Sequence, residues 1–151
     1  MSAVIRSSRD ESAWLGFVLA DQRYAVTLQA VREVIRGGDV TPVPGAPRDV
    51  LGVVNLRGQI VAVLDGRRRF GLDDAAEGEF ADSGRIIVLE NDGGVVGMRI
   101  DAIGDMLQLD VADVALPPPG RAIRRDDPVS GVVTRDDGFV ALVDVQRLCR
   151  V

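Results

Sequence analysis

The chain has 151 residues, of which 46% are hydrophobic and 27% charged, which fits one globular domain and excludes a disordered chain. Eighteen basic residues against 23 acidic ones give a net charge of −5, which disfavours a generic nucleic-acid binder or a basic membrane-surface protein. There is no histidine, one cysteine (Cys149) and, since all 18 basic residues are arginine, no lysine. A Ser-His-Asp or Cys-His site, a His-ligated metal, an intrachain disulfide, a Schiff-base lysine and a P-loop lysine are therefore all excluded.

Residues 1–12 are polar and aperiodic, as expected of a flexible N-terminus. The apolar run 14–20 is too short to span a bilayer, and no small-residue cleavage site follows it, so it reads as a first strand rather than a signal peptide. Further strand-length runs follow at 24–28, 50–54, 59–64, 85–90, 95–100, 106–109, 131–134 and 139–143. Asp, Asn and Gly at the breaks between them are hairpin signals, because these residues tolerate positive φ. Helical signals are few. Leu28, Val31, Val34 and Ile35 follow helical spacing and predict one or two turns. Asp65 is placed to cap a short turn that stops at Gly71, and Asp144 to cap a C-terminal helix with Val145, Leu148 and Cys149 on one face. The acidic, aperiodic stretch 73–83 reads as a linker.

The two halves repeat each other. Gly52-Val53-Val54 recurs as Gly131-Val132-Val133, an offset of 79, which also carries Val61 to Val140, Ala62 to Ala141, Asp65 to Asp144 and Arg68 to Arg147. Ala30 and Glu33 align with Ala102 and Asp105 at an offset of 72. The prediction is an all-β domain of two small antiparallel five-stranded β-barrels side by side, roughly 13–72 and 84–151, with strands open to exchange between them. Short helices follow Asp65 and close the chain. A groove between such halves is a natural partner site.

Catalytic readings find little support. The paired aspartates sit in turn-like segments, where a raised pKa and a buried site are not expected. Asp101, Asp105, Asp110 and Asp113 lack the spacing of a calcium loop, and Cys149 falls on the apolar face of the last helix. No catalytic residue, metal or cofactor is expected. Arg67-Arg68-Arg69 reads as the solvated face of one helical turn rather than a phosphate contact. Arg57, in the turn Asn55-Leu56-Arg57-Gly58, has two open readings. Its rigid fork of donors suits a partner's carboxylates or carbonyls, and it equally suits internal pairing, for example with Glu33. Leu15, Leu28 and Val31 read from the residues alone as core, with an exposed apolar patch as the other possibility.

Several segments together resemble the CheW-like domain family: Tyr24-Ala25-Val26, Val31-Arg32-Glu33-Val34-Ile35, the proline-rich run from Val40 to Pro47, Leu51-Gly52-Val53-Val54-Asn55-Leu56-Arg57-Gly58-Gln59-Ile60, Arg85-Ile86-Ile87-Val88, Val96-Gly97-Met98-Arg99-Ile100-Asp101, Gly131-Val132-Val133 and Ala141-Leu142-Val143-Asp144-Val145. The resemblance implies two five-stranded barrels and a non-enzymatic adaptor that couples methyl-accepting chemotaxis receptors to a CheA-type histidine kinase. It implies a cytoplasmic protein recruited to membrane receptor arrays. Leu15, Leu28 and Val31 match the family's apolar kinase contact, which reverses the core reading. Glu33 and Arg57 match polar receptor-side positions, and Gly52 and Gly97 match glycines that shape the groove. No nucleic acid and no membrane insertion are implied.

The chain departs from the family at Ala62, where proline is usual, and at Gly66, where leucine is usual, so a looser strand end and turn are expected there. The loop 117–123 lacks a large aromatic that some members use for a second kinase contact. With no kinase or receiver segment after the last helix, a stand-alone adaptor is expected. An adaptor of a non-flagellar chemosensory pathway remains an alternative. From another class, a ligand-binding double barrel or a hydrolase is disfavoured by the lack of His, Lys and any clustered polar site.

Overall fold

The computed structural model describes residues 13–36, 39–72, 84–116, 127–135 and 138–150. Among the described residues ten strands form: β1 (Ala13–Leu19), β2 (Gln22–Thr27), β3 (Val31–Arg36), β4 (Val50–Leu56), β5 (Gln59–Asp65), β6 (Arg85–Asn91), β7 (Gly94–Ile100), β8 (Ala102–Gln108), β9 (Val129–Arg135) and β10 (Gly138–Val143). Two four-residue helices, α1 (Gly66–Arg69) and α2 (Val145–Leu148), follow β5 and β10. Asp65 accepts hydrogen bonds from Arg67 N and Arg68 N, and Asp144 from Arg147 N, so both aspartates cap the helices they precede. Three hairpins turn on two residues that both have positive φ: Ala20-Asp21, Arg57-Gly58 and Asp92-Gly93. Such turns match the right-handed twist of the strands they join.

The strands form two five-stranded sheets, ordered β8-β1-β2-β10-β9 (sheet I) and β3-β6-β7-β5-β4 (sheet II). An offset of 72 residues carries β1 (13–19) onto β6 (85–91), and an offset of 79 carries β4 (50–56) onto β9 (129–135) and α1 (66–69) onto α2 (145–148). Renumbering each strand by five turns one sheet order into the other. Each sheet therefore combines a hairpin from one repeat with three strands from the other. This exchange makes β2 pair with β10, and β5 with β7, in parallel, so the sheets are mixed rather than purely antiparallel as expected. Their ladders end at edge strands instead of closing into barrels. Sheet II nevertheless curls until side chains from its two edges meet, as the contacts of Glu33 and Arg57 show below. Two edges are shielded by short straps: Thr41 bridges Val53 on β4, and Ala115 bridges Val132 on β9.

The segment 31–36, expected to be helical, is β3. Only Leu28–Ala30 forms a 3₁₀ turn. That turn followed by a strand mimics helical spacing, because Glu33 takes an inward position between Val31 and Ile35. A β-bulge between Val31 and Glu33 adds to the disguise. The departures at Ala62 and Gly66 do not loosen the chain. Ala62 pairs with both Val53 and Val96. A Cβ on Gly66 would stand 2.5 Å from Arg99 O, so glycine lets α1 close tightly onto β7.

Packing falls in three layers. Ala25, Leu109, Val133, Val140 and Leu142 fill the inside of sheet I, and Val63, Ile86 and Val88 that of sheet II. Between the sheets lies the largest cluster, including Leu15, Phe17, Leu19, Val26, Leu64, Ile87, Leu89, Met98, Ile100 and Leu148. Phe17 stacks on Tyr24, which packs against Phe70. Each such side chain contributes about 1.5–3 kcal/mol on burial.

The run Arg67-Arg68-Arg69 is not a solvated face. Arg69 is fully buried. Its guanidinium donates to Leu148 O (2.8 Å), Arg147 O and Arg150 O, the orphan carbonyls at the end of α2. Arg67 makes a bidentate pair with Asp101 (Nη2 to Oδ2 2.6 Å), and Asp101 Oδ2 also accepts Ala20 N–H at 2.8 Å. Arg68 pairs with Asp65 and donates to Arg48 O. The run thus ties α1 to α2, to the β1–β2 turn and to the β7–β8 corner.

Arg69→Met keeps much of the stem but takes the guanidinium donor from the buried Leu148 O and one donor each from Arg147 O and Arg150 O. The expected loss of stability is on the order of 3 kcal/mol, read as a lower urea midpoint at unchanged slope. Arg68→Ala removes a partly exposed arginine from Asp65, which keeps its bonds from the α1 backbone N–H groups, and is expected to cost about 1 kcal/mol.

Candidate functional site

Arg57 and Glu33 are brought together. Arg57 occupies the first position of the β4–β5 turn at φ 52°, a conformation costly for a residue with a side chain. Asn55 Oδ1 accepts the Gly58 N–H at 2.9 Å and fixes that turn. Glu33 comes from the bulge of β3, a feature that re-aims side chains. The pair is bidentate: Arg57 Nη1 donates to Glu33 Oε2 at 2.6 Å and Nη2 to Oε1 at 3.1 Å. Since β3 and β4 are the two edges of sheet II, the pair staples the seam where its ladder stays open.

The two partners differ in exposure. The Arg57 side chain is 75% exposed and that of Glu33 only 22%. Both Glu33 oxygens are engaged by Arg57, whose side chain is otherwise largely open to solvent. The internal-pairing reading and the partner-donor reading are therefore compatible. Ile60, which pairs with Asn55 across the same hairpin, is 63% exposed and sets an apolar surface beside the arginine.

The apolar trio divides. Leu15 is buried at 8% exposure and belongs to the core between the sheets. Leu28 and Val31 pack on that core but remain half-exposed, on the crossover that leads from β2 in sheet I to β3 in sheet II. Val34, on the same strand, is 39% exposed. Leu28 and Val31 thus form a partly open apolar rim with Leu15 beneath it.

Both singled-out glycines are buried. A Cβ on Gly52 would stand 2.1 Å from Thr41 O, so the missing side chain admits the strap that covers β4. A Cβ on Gly97 would stand 2.8 Å from Ile86 Cγ2, so this glycine admits a core side chain inside sheet II. They shape the packing beneath the site.

The other candidates lie apart from any convergent chemistry. Among the described residues no group of three or more Cys, Asp or Glu side chains could hold a metal ion. The Cys149 thiol is half-buried, and burial pushes it up from its ordinary pKa against the pull of the Arg69 cation, with Asp92 adding to the rise. That is the opposite of an activated thiolate. The loop 117–123 and the linker 73–83 lie outside the described residues. Sequence reasoning missed the Arg67–Asp101–Ala20 corner and the Arg69 clamp. Arginine at helix-turn spacing looks solvated unless the fold is known to bury one face of so short a helix.

Comparison with known proteins extends over nearly the whole chain. The family model described as CheW-like domain matches residues 13–151. The chain is 33% identical over 131 residues to the Chemotaxis protein CheW of Rhizobium meliloti, covering 87% of this chain and 83% of that one. It is 32% identical over 117 residues to Protein FrzA of Myxococcus xanthus, covering 78% and 71%. Among solved structures, the scaffolding protein TtCheW from Thermoanaerobacter tengcongensis superposes with a TM-score of 0.81 at 28% identity, covering 93% of this chain and 94% of that one. On the strength of the matched length and of the shared two-sheet fold, the chain belongs to the CheW-like domain family.

Proposed function

We propose that the chain is a scaffold that couples methyl-accepting chemotaxis receptors to a CheA-type histidine kinase, and that it works by binding rather than by catalysis. The observation that carries this reading is the presentation of Arg57. A strained turn, an Asn55 hydrogen bond and a bidentate carboxylate all hold one exposed guanidinium in place. Such pre-organisation lowers the entropy lost when a partner's carboxylates or helix-end carbonyls are bound. The TtCheW likeness supports the scaffold role, since that protein is described as a scaffolding protein.

In this reading Arg57 touches the receptor tip, and Glu33 holds Arg57 for it. Leu28 and Val31 supply the apolar contact to the kinase regulatory domain, with Leu15 supporting them from the core. Gly52 and Gly97 act on the groove through the strap and the core they admit. No helix among the described residues is long and apolar enough to cross a membrane. The proposed place of work is the cytoplasmic side of receptor arrays, reached through these partners.

Titration calorimetry against the regulatory domain of the cognate kinase and against receptor cytoplasmic fragments tests both faces. Arg57→Ala is expected to weaken receptor binding about tenfold or more. Its stability should change by less than about 1 kcal/mol, because the side chain is largely exposed. Unchanged receptor affinity would remove Arg57 from the site. Val31→Asp, with its fold verified by circular dichroism, is expected to cut kinase affinity about 30-fold or more. Normal kinase binding by that variant would assign Val31 to the core alone.

A further inference from the structure

The equivalent seam of sheet I is built differently, and we propose that its open mouth is a binding site for a small carboxylate with a short apolar tail. In sheet II, Val88, Val95, Leu56 and Ile35 plug the space behind the Arg57–Glu33 staple. The repeat offsets place Gly16, Arg23, Arg135 and Leu107 at the same positions of sheet I. A glycine and two arginines thus stand where the other half has two valines and a leucine. The result is a cavity of about 320 Å³, lined also by Asp105 and Val140. That is the lower end of the range for small-ligand pockets.

The walls set the ligand class. Leu107 comes from edge strand β8 and Arg135 from edge strand β9, so the cavity opens at the seam between them. Val140 is buried and Leu107 half-buried on the inner core of sheet I, and they offer an apolar wall. Arg23 runs along the start of β10, its Nη2 standing 3.6 Å from where a Cβ on Gly138 would lie. Arg135 is exposed at the rim. The exposed Arg135 over an apolar wall, with Arg23 adding positive charge to the lining, suits one carboxylate and a few methylenes. Asp105, the equivalent of Glu33, sits at the matching bulge beside Gly16 and is the acidic residue among the described lining. This proposal does not depend on the adaptor reading.

The test is a methyl and amide NMR titration of the full chain with hexanoate, using hexan-1-ol and hexylammonium as controls. Hexanoate is expected to give saturable shifts at Val18, Leu107 and Val140 that neither control reproduces, weakening as salt is raised. Arg135→Leu, which installs the residue of the other repeat, should weaken binding at least tenfold. Asp105→Asn should tighten it severalfold, a gain that misfolding cannot mimic. Absence of saturable hexanoate shifts, equal response to hexan-1-ol, or unchanged binding in both variants would overturn the site. The two arginines would then serve only the chain's own carboxylates.

Discussion

The exchange of hairpins between the two repeats constrains everything else in the molecule. Because β1–β2 completes the sheet of the second repeat and β6–β7 that of the first, neither repeat can form its sheet alone. The largest apolar cluster lies between the sheets rather than inside either, and it draws side chains from both repeats. Pulling the halves apart would expose that whole cluster and break two parallel ladders. The expected behaviour is one cooperative unfolding unit, despite the bipartite appearance. For a scaffold this rigidity is useful, since sites on the two sheets stay in fixed relation while partners load.

The repeats also meet where α1 and α2 end, and there they differ. Position 69 is the equivalent of position 148. Leu148 is buried in the shared core, and Arg69 is buried with its fork on the last carbonyls of α2. Two leucines would take the guanidinium donor from the buried Leu148 O, and two arginines would bury like charges side by side. One of each satisfies both requirements. The repeats differ again two residues earlier. Arg67 pairs with Asp101, whereas its equivalent Gln146 lines an open polar pocket with Asn91, Asp92, Cys149 and Arg150.

Much of this was legible in the sequence because repeats leave a fixed arithmetic. The offsets of 79 and 72 fall on the observed strand starts, and the caps at Asp65 and Asp144 sit where predicted. The β3 strand was not legible, since a 3₁₀ turn, a bulge and an inward Glu33 together erase its period of two. Most of β8 was not legible either. From Ala102 to Met106 it is exposed, so no apolar alternation was selected there. The parallel pairs escaped because pairing partners come from opposite repeats, and hydropathy carries no record of which hairpin enters which sheet. At the candidate site, Arg57 and Glu33 were individually visible, but their separation of 24 residues and their meeting across two sheet edges are tertiary facts.

A duplicated fold offers every surface twice, so function has to reside where equivalent positions differ. Glu33 and Asp105 are both acidic and both follow a bulge, yet position 57 is arginine where position 136 is aspartate. One end of the molecule therefore gains a stapled seam with an outward-facing guanidinium over an apolar plug. The other keeps its arginines at positions 23 and 135, on the walls, and gives up the plug at Gly16. Glycine is the residue that makes this second solution possible. A Cβ at position 16 would press within 2.9 Å of Asp105 O and force β8 away from β1. The cavity is thus written into the backbone approach of an edge strand, and cannot be filled by side-chain repacking alone. The same fold has been differentiated by a handful of substitutions into one end that presents a cation over an apolar plug and one end that leaves a cavity lined by Arg23 and Arg135.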